Sequence, residues 1–142
     1  MKDSERMQLS EHFKLFEFTR SGMALDRNLN NTPNDEQIEA MRALCQNILE
    51  PLRRQYGPIV ISSGFRSKTI NRLVGGSPTS QHLSGEAADI VVSSPERANA
   101  IYAFISRNLD FDQLIFEPIY SPKPRWIHVS YTTKRPNRHE KW

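Results

Sequence analysis

The sequence predicts one α+β domain with a small, largely antiparallel four-stranded sheet and helices packed around it. Three observations lead there. Short β-branched or alternating runs recur at residues 58–63, 87–92, 111–117 and 125–131, each bounded by turn formers. Cap-then-proline starts at Thr32-Pro33 and Ser94-Pro95 open stretches with apolar residues at helical spacing. The length of 142 residues, 37% of them hydrophobic, suffices for one ordinary core and leaves no room for a second. Mixed strand and helix order then gives the α+β class. The expected domain spans residues 1–142, with a core at 9–131 and a basic, frayed tail at 132–142.

In chain order, residues 9–18 place Leu9, Phe13 and Phe16 at helix-like offsets after a potential Ser10 cap, so a short aromatic-pinned helix or turn is expected. His12 reads as a surface residue, and residues 19–31 as an irregular connection. The longest helix follows: Thr32 caps, Pro33 occupies the first turn and Asp35 takes the capping-box position. Its buried stripe is Ile38, Met41, Leu44, Cys45, Ile48, Leu49 and Leu52, with a kink expected at Pro51 and a stop at Gly57. Residues 58–63 form a buried strand that delivers Phe65 and Arg66 at its carboxyl end. Ser67 caps one or two helical turns to Val74, and residues 75–79 make a flexible glycine-rich loop. That loop lacks the lysine and the spacing of a phosphate loop. A strand over 87–92 precedes a covering helix that runs to about Asn108, with Ala98, Ile101, Tyr102 and Ile105 inward. The strand at 111–117, a hairpin-like loop at 118–124 and the strand around His128 complete the sheet.

Composition narrows the chemistry. A single cysteine, Cys45, allows no intrachain disulfide and no multi-thiolate zinc site, so any zinc must be held by nitrogen and oxygen. Residues 1–6 carry no apolar run, and nothing approaches the roughly 20 residues of a membrane span, so a cytoplasmically made chain without signal peptide or transmembrane segment is expected. A net charge of +3 and a pI near 9.2 suit polyanions, nucleic acid and anionic cell envelope alike. No helix-turn-helix or RNA-binding signature accompanies the charge, so no specific nucleic-acid partner is expected. Four basic residues within 133–142 lack periodicity and read as a solvated terminus.

The stretch Ser80-Gln-His-Leu-Ser-Gly-Glu-Ala-Ala-Asp-Ile90 sets an imidazole and a carboxylate seven residues apart around a glycine. His82 offers a neutral ring nitrogen and Asp89 a hard oxygen. In Arg125-Trp-Ile-His-Val-Ser-Tyr131, alternation turns Trp126, His128 and Ser130 to one face, which makes His128 the third candidate ligand. Three such ligands leave one zinc position open for water, and their hardness suits a hydrolytic zinc better than copper or calcium.

Ser62-Ser-Gly-Phe-Arg-Ser67, Ser80-Gln-His82 with Gly85, Ala87 and Asp89, and Trp126-Ile-His128 occur in this order. Together they resemble the M15 family of zinc peptidases, the D-alanyl-D-alanine carboxypeptidases and phage endolysin peptidases, from about Leu9 to Tyr131. The resemblance implies a hedgehog/DD-peptidase-like fold, Zn2+ as cofactor, a peptidoglycan stem peptide as substrate and a monomeric enzyme. It also implies that Arg66 faces the substrate and stabilises charge on the scissile carbonyl. Without a leader, a phage or prophage lysis enzyme released to the cell wall by a holin fits this picture. In many M15 enzymes the catalytic glutamate lies three residues before the last histidine, a position held here by Arg125. Glu117, at the end of the preceding strand, is the expected replacement, as in endolysin-like and hedgehog-like relatives that carry the glutamate farther upstream. Asp112 is a weaker rival, because the five-residue offset turns it to the opposite face.

Gln113 shares the Glu117 face and is a candidate substrate contact. Trp126 either walls the cleft or packs in the core, and Ser80 either binds substrate carboxylate or shapes its turn. Two other classes remain open at this stage: a zinc-stabilised binding module without catalysis, as in hedgehog-like relatives, and a basic nucleic-acid binder.

Overall fold

A computed structural model describes residues 6–21, 27–118 and 121–142. The expectations for residues 1–5, for the middle of the 19–31 connection and for the tip of the 118–124 loop lie outside that range. The architecture is α+β, but the sheet has five strands, in the order β1-β2-β4-β3-β5. These are β1 (Ile61–Ser63), β2 (Ala87–Val91), β3 (Gln113–Glu117), β4 (Trp126–Ser130) and β5 (Glu140–Lys141). The first four pair antiparallel, while β5 joins β3 in parallel, so the expected four-stranded sheet is extended by the tail.

The helices follow from caps and apolar stripes. The segment around Leu9 turns back through a Gln8–Lys14 bridge into α1 (Leu15–Thr19). Ser10 does not cap it; its hydroxyl donates to Glu50 at 2.6 Å. The long helix begins two residues later than Thr32 suggests. Asn34 caps α2 (Asp35–Leu44), its side chain accepting from the Gln37 amide at 2.8 Å while Gln37 accepts from the Asn34 amide at 2.8 Å. Asparagine and glutamine thus build the reciprocal box expected of Thr32 and Asp35.

The Pro51 kink takes the form of a π-helical turn over Cys45–Leu49, after which α3 (Glu50–Tyr56) continues. A proline cannot donate to the carbonyl four residues back, and a widened turn, with the Glu50 amide bonded to the Cys45 carbonyl, absorbs the mismatch without breaking the helix. Ser67 caps α4 (Lys68–Leu73) and Ser94 caps α5 (Pro95–Asn108), both as expected.

One face of the sheet packs on the helices. Ala88, Ile90, Ile127, Val129 and Leu114 from the strands meet Leu44, Cys45, Ile48, Leu49, Leu52, Ile101 and Ile105 in a single buried cluster. Burial pushes the Cys45 thiol well above its usual range, which keeps it an inert packing group. The opposite face carries the polar residues of the same strands, by the two-residue alternation of side chains.

The tail is the largest departure from expectation. Its backbone runs beside β3: the Glu140 amide donates to Asp112, the Trp142 amide to Leu114, and the Phe116 amide to Trp142. Fully buried Asp112 fastens it, accepting from Arg135 Nη1 and Nη2 at 2.6 and 3.0 Å and from Arg138 Nη2 at 2.8 Å. A two-residue strand and a side-chain clamp leave no periodicity to read, so the segment looked like a solvated terminus.

Gly85 joins helix and sheet to the site. It stands at φ +78° at the end of a 3-10 turn (Gln81–Ser84), and a Cβ there would meet the Gln37 carbonyl oxygen at 2.5 Å. Left-handed backbone costs a non-glycine residue about 1–2 kcal/mol before any clash is counted. Gly85→Ala is therefore expected to lower unfolding stability by more than that in urea titration; an unchanged midpoint with an unchanged slope would contradict the tight docking of this turn on α2.

Candidate metal centre and cleft

The register of β2 against β4 builds the site. Asp89 is the direct cross-strand partner of His128, and Val91 that of Trp126. On the other side of β4, Ile115 faces His128 and Glu117 faces Trp126, so Gln113, Glu117, Trp126, His128 and Asp89 all share the face turned away from the core. At β1, a register shift between Ile61 and Ser63 puts Ile61 opposite Ile90 and Ser63 opposite Asp89. The bulge lets the strand fill the core at Ile61 and still present Ser63 and the following Gly64-Phe65-Arg66 to the site.

His82 arrives from the 3-10 turn, whose first amide groups need partners; Ser80 Oγ accepts from the His82 amide at 3.2 Å. Ser80 thus shapes its turn while also lining the cleft. The imidazole is buried, and its Nδ1 donates to the Gly64 carbonyl at 2.6 Å. A ring bonded in this way keeps its proton on Nδ1 and leaves the Nε2 lone pair free. That Nε2 lies 3.3 Å from Asp89 Oδ1, and His128 Nδ1 lies 3.0 Å from the same oxygen. The two rings stand 5.1 Å apart between centroids, and one potential ligand atom from each of the three residues falls within 4.8 Å of the others. Burial works to raise the pKa of Asp89, but the imidazoles of His128 and His82 beside it outweigh that and hold the carboxyl well below its usual range. Two imidazoles and one ionised carboxylate, convergent and backed by a carbonyl that fixes a tautomer, fit a zinc ion.

Arg66 is braced on three sides. Its Nε meets Ser63 Oγ at 3.2 Å, Nη1 meets Asn71 Oδ1 at 3.2 Å, and Nη2 stands 3.6 Å from Asp89 Oδ2. Buried Asn71 also donates to the Ser77 carbonyl at 2.8 Å, and its carbonyl accepts from the Gly76 amide at 2.8 Å. The glycine loop is therefore tied to the arginine that points into the site. Asn71 had no signal in the sequence, since an asparagine in a short helix is ordinarily a surface residue.

Glu117 has no ion-pair partner among the described residues. Burial raises its pKa, the charge of His128 lowers it, that of Asp89 raises it, and the net displacement is upward. Trp126 is half-buried in the cleft wall and does not belong to the core cluster. Gln113 also lines the cleft, its Nε2 donating to Glu140 at 3.2 Å. Asp112 does not compete with Glu117: it faces the tail and Gln81, whose Nε2 donates to it at 2.9 Å. All eight candidate residues, Arg66, Ser80, His82, Asp89, Gln113, Glu117, Trp126 and His128, border one open cleft of about 850 Å³, together with Arg135 and Arg138 from the tail.

A second group of donors, Glu11, His12 and Glu50, also clusters. Glu50 is already saturated there, by Ser10 Oγ, the His12 amide at 2.7 Å and His12 Nδ1 at 2.7 Å. It fastens the amino-terminal turn to α3.

The sheet and the convergent donor set define a small α+β scaffold with a group of side chains that could hold one metal ion. The sequence pattern of the family described as Peptidase M15 matches residues 12–130, and the chain belongs to that family. The chain is also similar to the zinc D-Ala-D-Ala carboxypeptidase of Streptomyces albus G, at 36% identity over 69 residues, which is 47% of this chain and 26% of that protein. It therefore matches about a quarter of that relative's length.

If the convergent donors hold the metal, His82→Ala and His128→Ala each lose stoichiometric zinc in elemental analysis, whereas Glu50→Gln keeps it. Zinc retained in both histidine variants, or lost in Glu50→Gln, would move the centre elsewhere.

Proposed function

We propose that this chain is a zinc-dependent peptidase that cleaves peptidoglycan stem peptides, at a D-alanyl-D-alanine or an L-alanyl-D-glutamate bond. The observation that carries the reading is Glu117: a carboxylate with no ion-pair partner among the described residues and a raised pKa, on the same sheet face as His82's partners Asp89 and His128, in the same cleft. A metal centre that served only to hold the fold would need no such group. Family membership and the likeness to a D-Ala-D-Ala carboxypeptidase support this substrate class.

In this reading, His82, Asp89 and His128 hold the zinc, which when bound polarises the scissile carbonyl and acidifies water. Glu117 Oε takes a proton from the attacking water and returns it to the leaving amine, a task for which a raised pKa is suited. Arg66, held by Ser63 and Asn71, presents its remaining N–H donors where negative charge grows on the carbonyl oxygen. Gln113 and Trp126 line the path of the peptide along β3 and β4. The family likeness supports action at the bacterial cell wall, and a lysis role of the phage or prophage kind is part of this reading. Among the described residues no helix is long and apolar enough to cross a membrane.

Purified peptidoglycan digested with and without a chelator tests the reading. A metal-dependent new amino terminus is expected and identifies the bond; its absence would remove the peptidase assignment. Glu117→Gln is expected to keep its zinc and fold while losing roughly 100-fold to 10,000-fold in rate, the usual contribution of a general base. Cleavage by Glu117→Gln at nearly the wild-type rate would show that the base lies elsewhere.

A further inference from the structure

The tail contributes more to the cleft than a fifth strand. Residues beyond 130 fall outside the family match, yet Arg135 and Arg138 border the same cleft as the candidate ligands. Both side chains are 43% exposed, and both are anchored on Asp112, which is fully buried. Burial works to raise the Asp112 pKa, but hydrogen bonds from Arg135, Arg138 and Gln81 hold it far below its usual range, so it remains ionised beneath the two guanidiniums.

The two arginines differ in what else they meet. Arg138 has a second carboxylate, Glu140, at 3.4 Å, and bonds Asp112 through Nε, Nη2 and its own amide. Arg135 bonds Asp112 through Nη1 and Nη2 and the Pro136 carbonyl through Nη1. A guanidinium carries five N–H donors in a rigid fork. Arg135 thus keeps Nε–H and a further Nη2–H beyond its bonds to the protein, and among the described residues no second acid stands within ion-pair reach. Beside it Gln81, whose Nε2 is fixed on Asp112, leaves Oε1 buried without a hydrogen-bond partner. A preset cation at the edge of the cleft suits a peptide that brings a carboxylate.

We propose that Arg135 is a substrate-anchoring residue that binds a free carboxylate of an anionic stem peptide, with Asp112 fixing its guanidinium. The proposal rests on the peptidase reading for the identity of the substrate. It adds a specificity element contributed by the tail: the anchor selects peptides that keep the carboxylate over those in which it is amidated. Preorganisation favours this role, since the rotamer entropy of a long arginine is already lost in the Asp112 bonds and is not charged against binding.

The test uses synthetic stem peptides that differ by one carboxylate replaced with a carboxamide, either at the glutamyl residue or at the carboxyl terminus. Wild-type protein is expected to favour one acid peptide over its amide. Arg135→Gln should raise KM for that acid peptide roughly 10- to 100-fold, the worth of a charge-assisted hydrogen bond, with kcat and the amide peptide little changed. Arg135→Lys should recover part of the preference. An equal loss on acid and amide peptides would mean that Arg135 only holds the tail, and an unchanged preference would mean that it does not meet substrate; either overturns the proposal. Binding of the same peptides to zinc-loaded Glu117→Gln protein, with and without Arg135→Gln, reads the anchor without turnover. Arg135-dependent acid binding with no cleavage by wild-type protein would sink the peptidase reading and keep the anchor. Cleavage with no Arg135-dependent difference in binding would do the reverse.

Discussion

The pairing register of β2 and β4 is the constraint on which the candidate centre depends. Asp89 and His128 face each other directly across the ladder, and the adjacent pair Ala88 and Val129 is buried in the core. A slip of β2 by one residue would send Asp89 into the apolar layer, away from His128, and bring Ala88 and Ile90 out to water. The hydrophobic effect therefore sets the geometry of the polar site: burying the alternate residues of two five-residue strands leaves only one face for the carboxylate and the imidazole. His82 is then fastened to the Gly64 carbonyl next to β1, and the Arg66 amide bonds the His82 carbonyl in turn.

Much of this was legible in the chain. Strand alternation placed Trp126, His128 and Ser130 together, and the same two-residue rule separated Glu117 from Asp112. Ser67 and Ser94 could be read as caps because each precedes its helix directly and its side chain accepts from the amide three residues on. Thr32 failed as a cap for a related reason: Asn34 lies nearer the first helical turn and has Gln37 three residues on, a box as good as Ser and Glu but less conspicuous. The π-helical turn before Pro51 was not legible, because a kink and a widened turn serve the same missing amide and differ only in how the neighbouring turns pack.

What escaped the sequence were partnerships between distant side chains. Asn71 with Arg66 and Ser77, and Asp112 with Arg135, Arg138 and Gln81, join residues whose separation and composition carry no periodic signal. Asp112 could be excluded as a base by its side of the strand, but nothing in the local pattern indicated that its role is to gather the tail. Each of these partnerships sits directly behind a residue of the cleft: Asn71 behind Arg66, and Asp112 behind Gln81, the neighbour of His82.

The clamp at Asp112 also bears on how the chain behaves toward copies of itself. With β5 in place, the outermost strands are β1 and β5, of three and two residues, too short to offer a partner chain more than a few backbone groups. With the tail detached, the new boundary would be β3, Gln-Leu-Ile-Phe-Glu, five residues with an apolar centre and unpaired amides and carbonyls along one side. Such an edge is a template for strand addition. The buried carboxylate that gathers two arginines at the cleft thus also holds the strand that covers β3, so the cleft wall and the sheet edge rest on the same ion cluster.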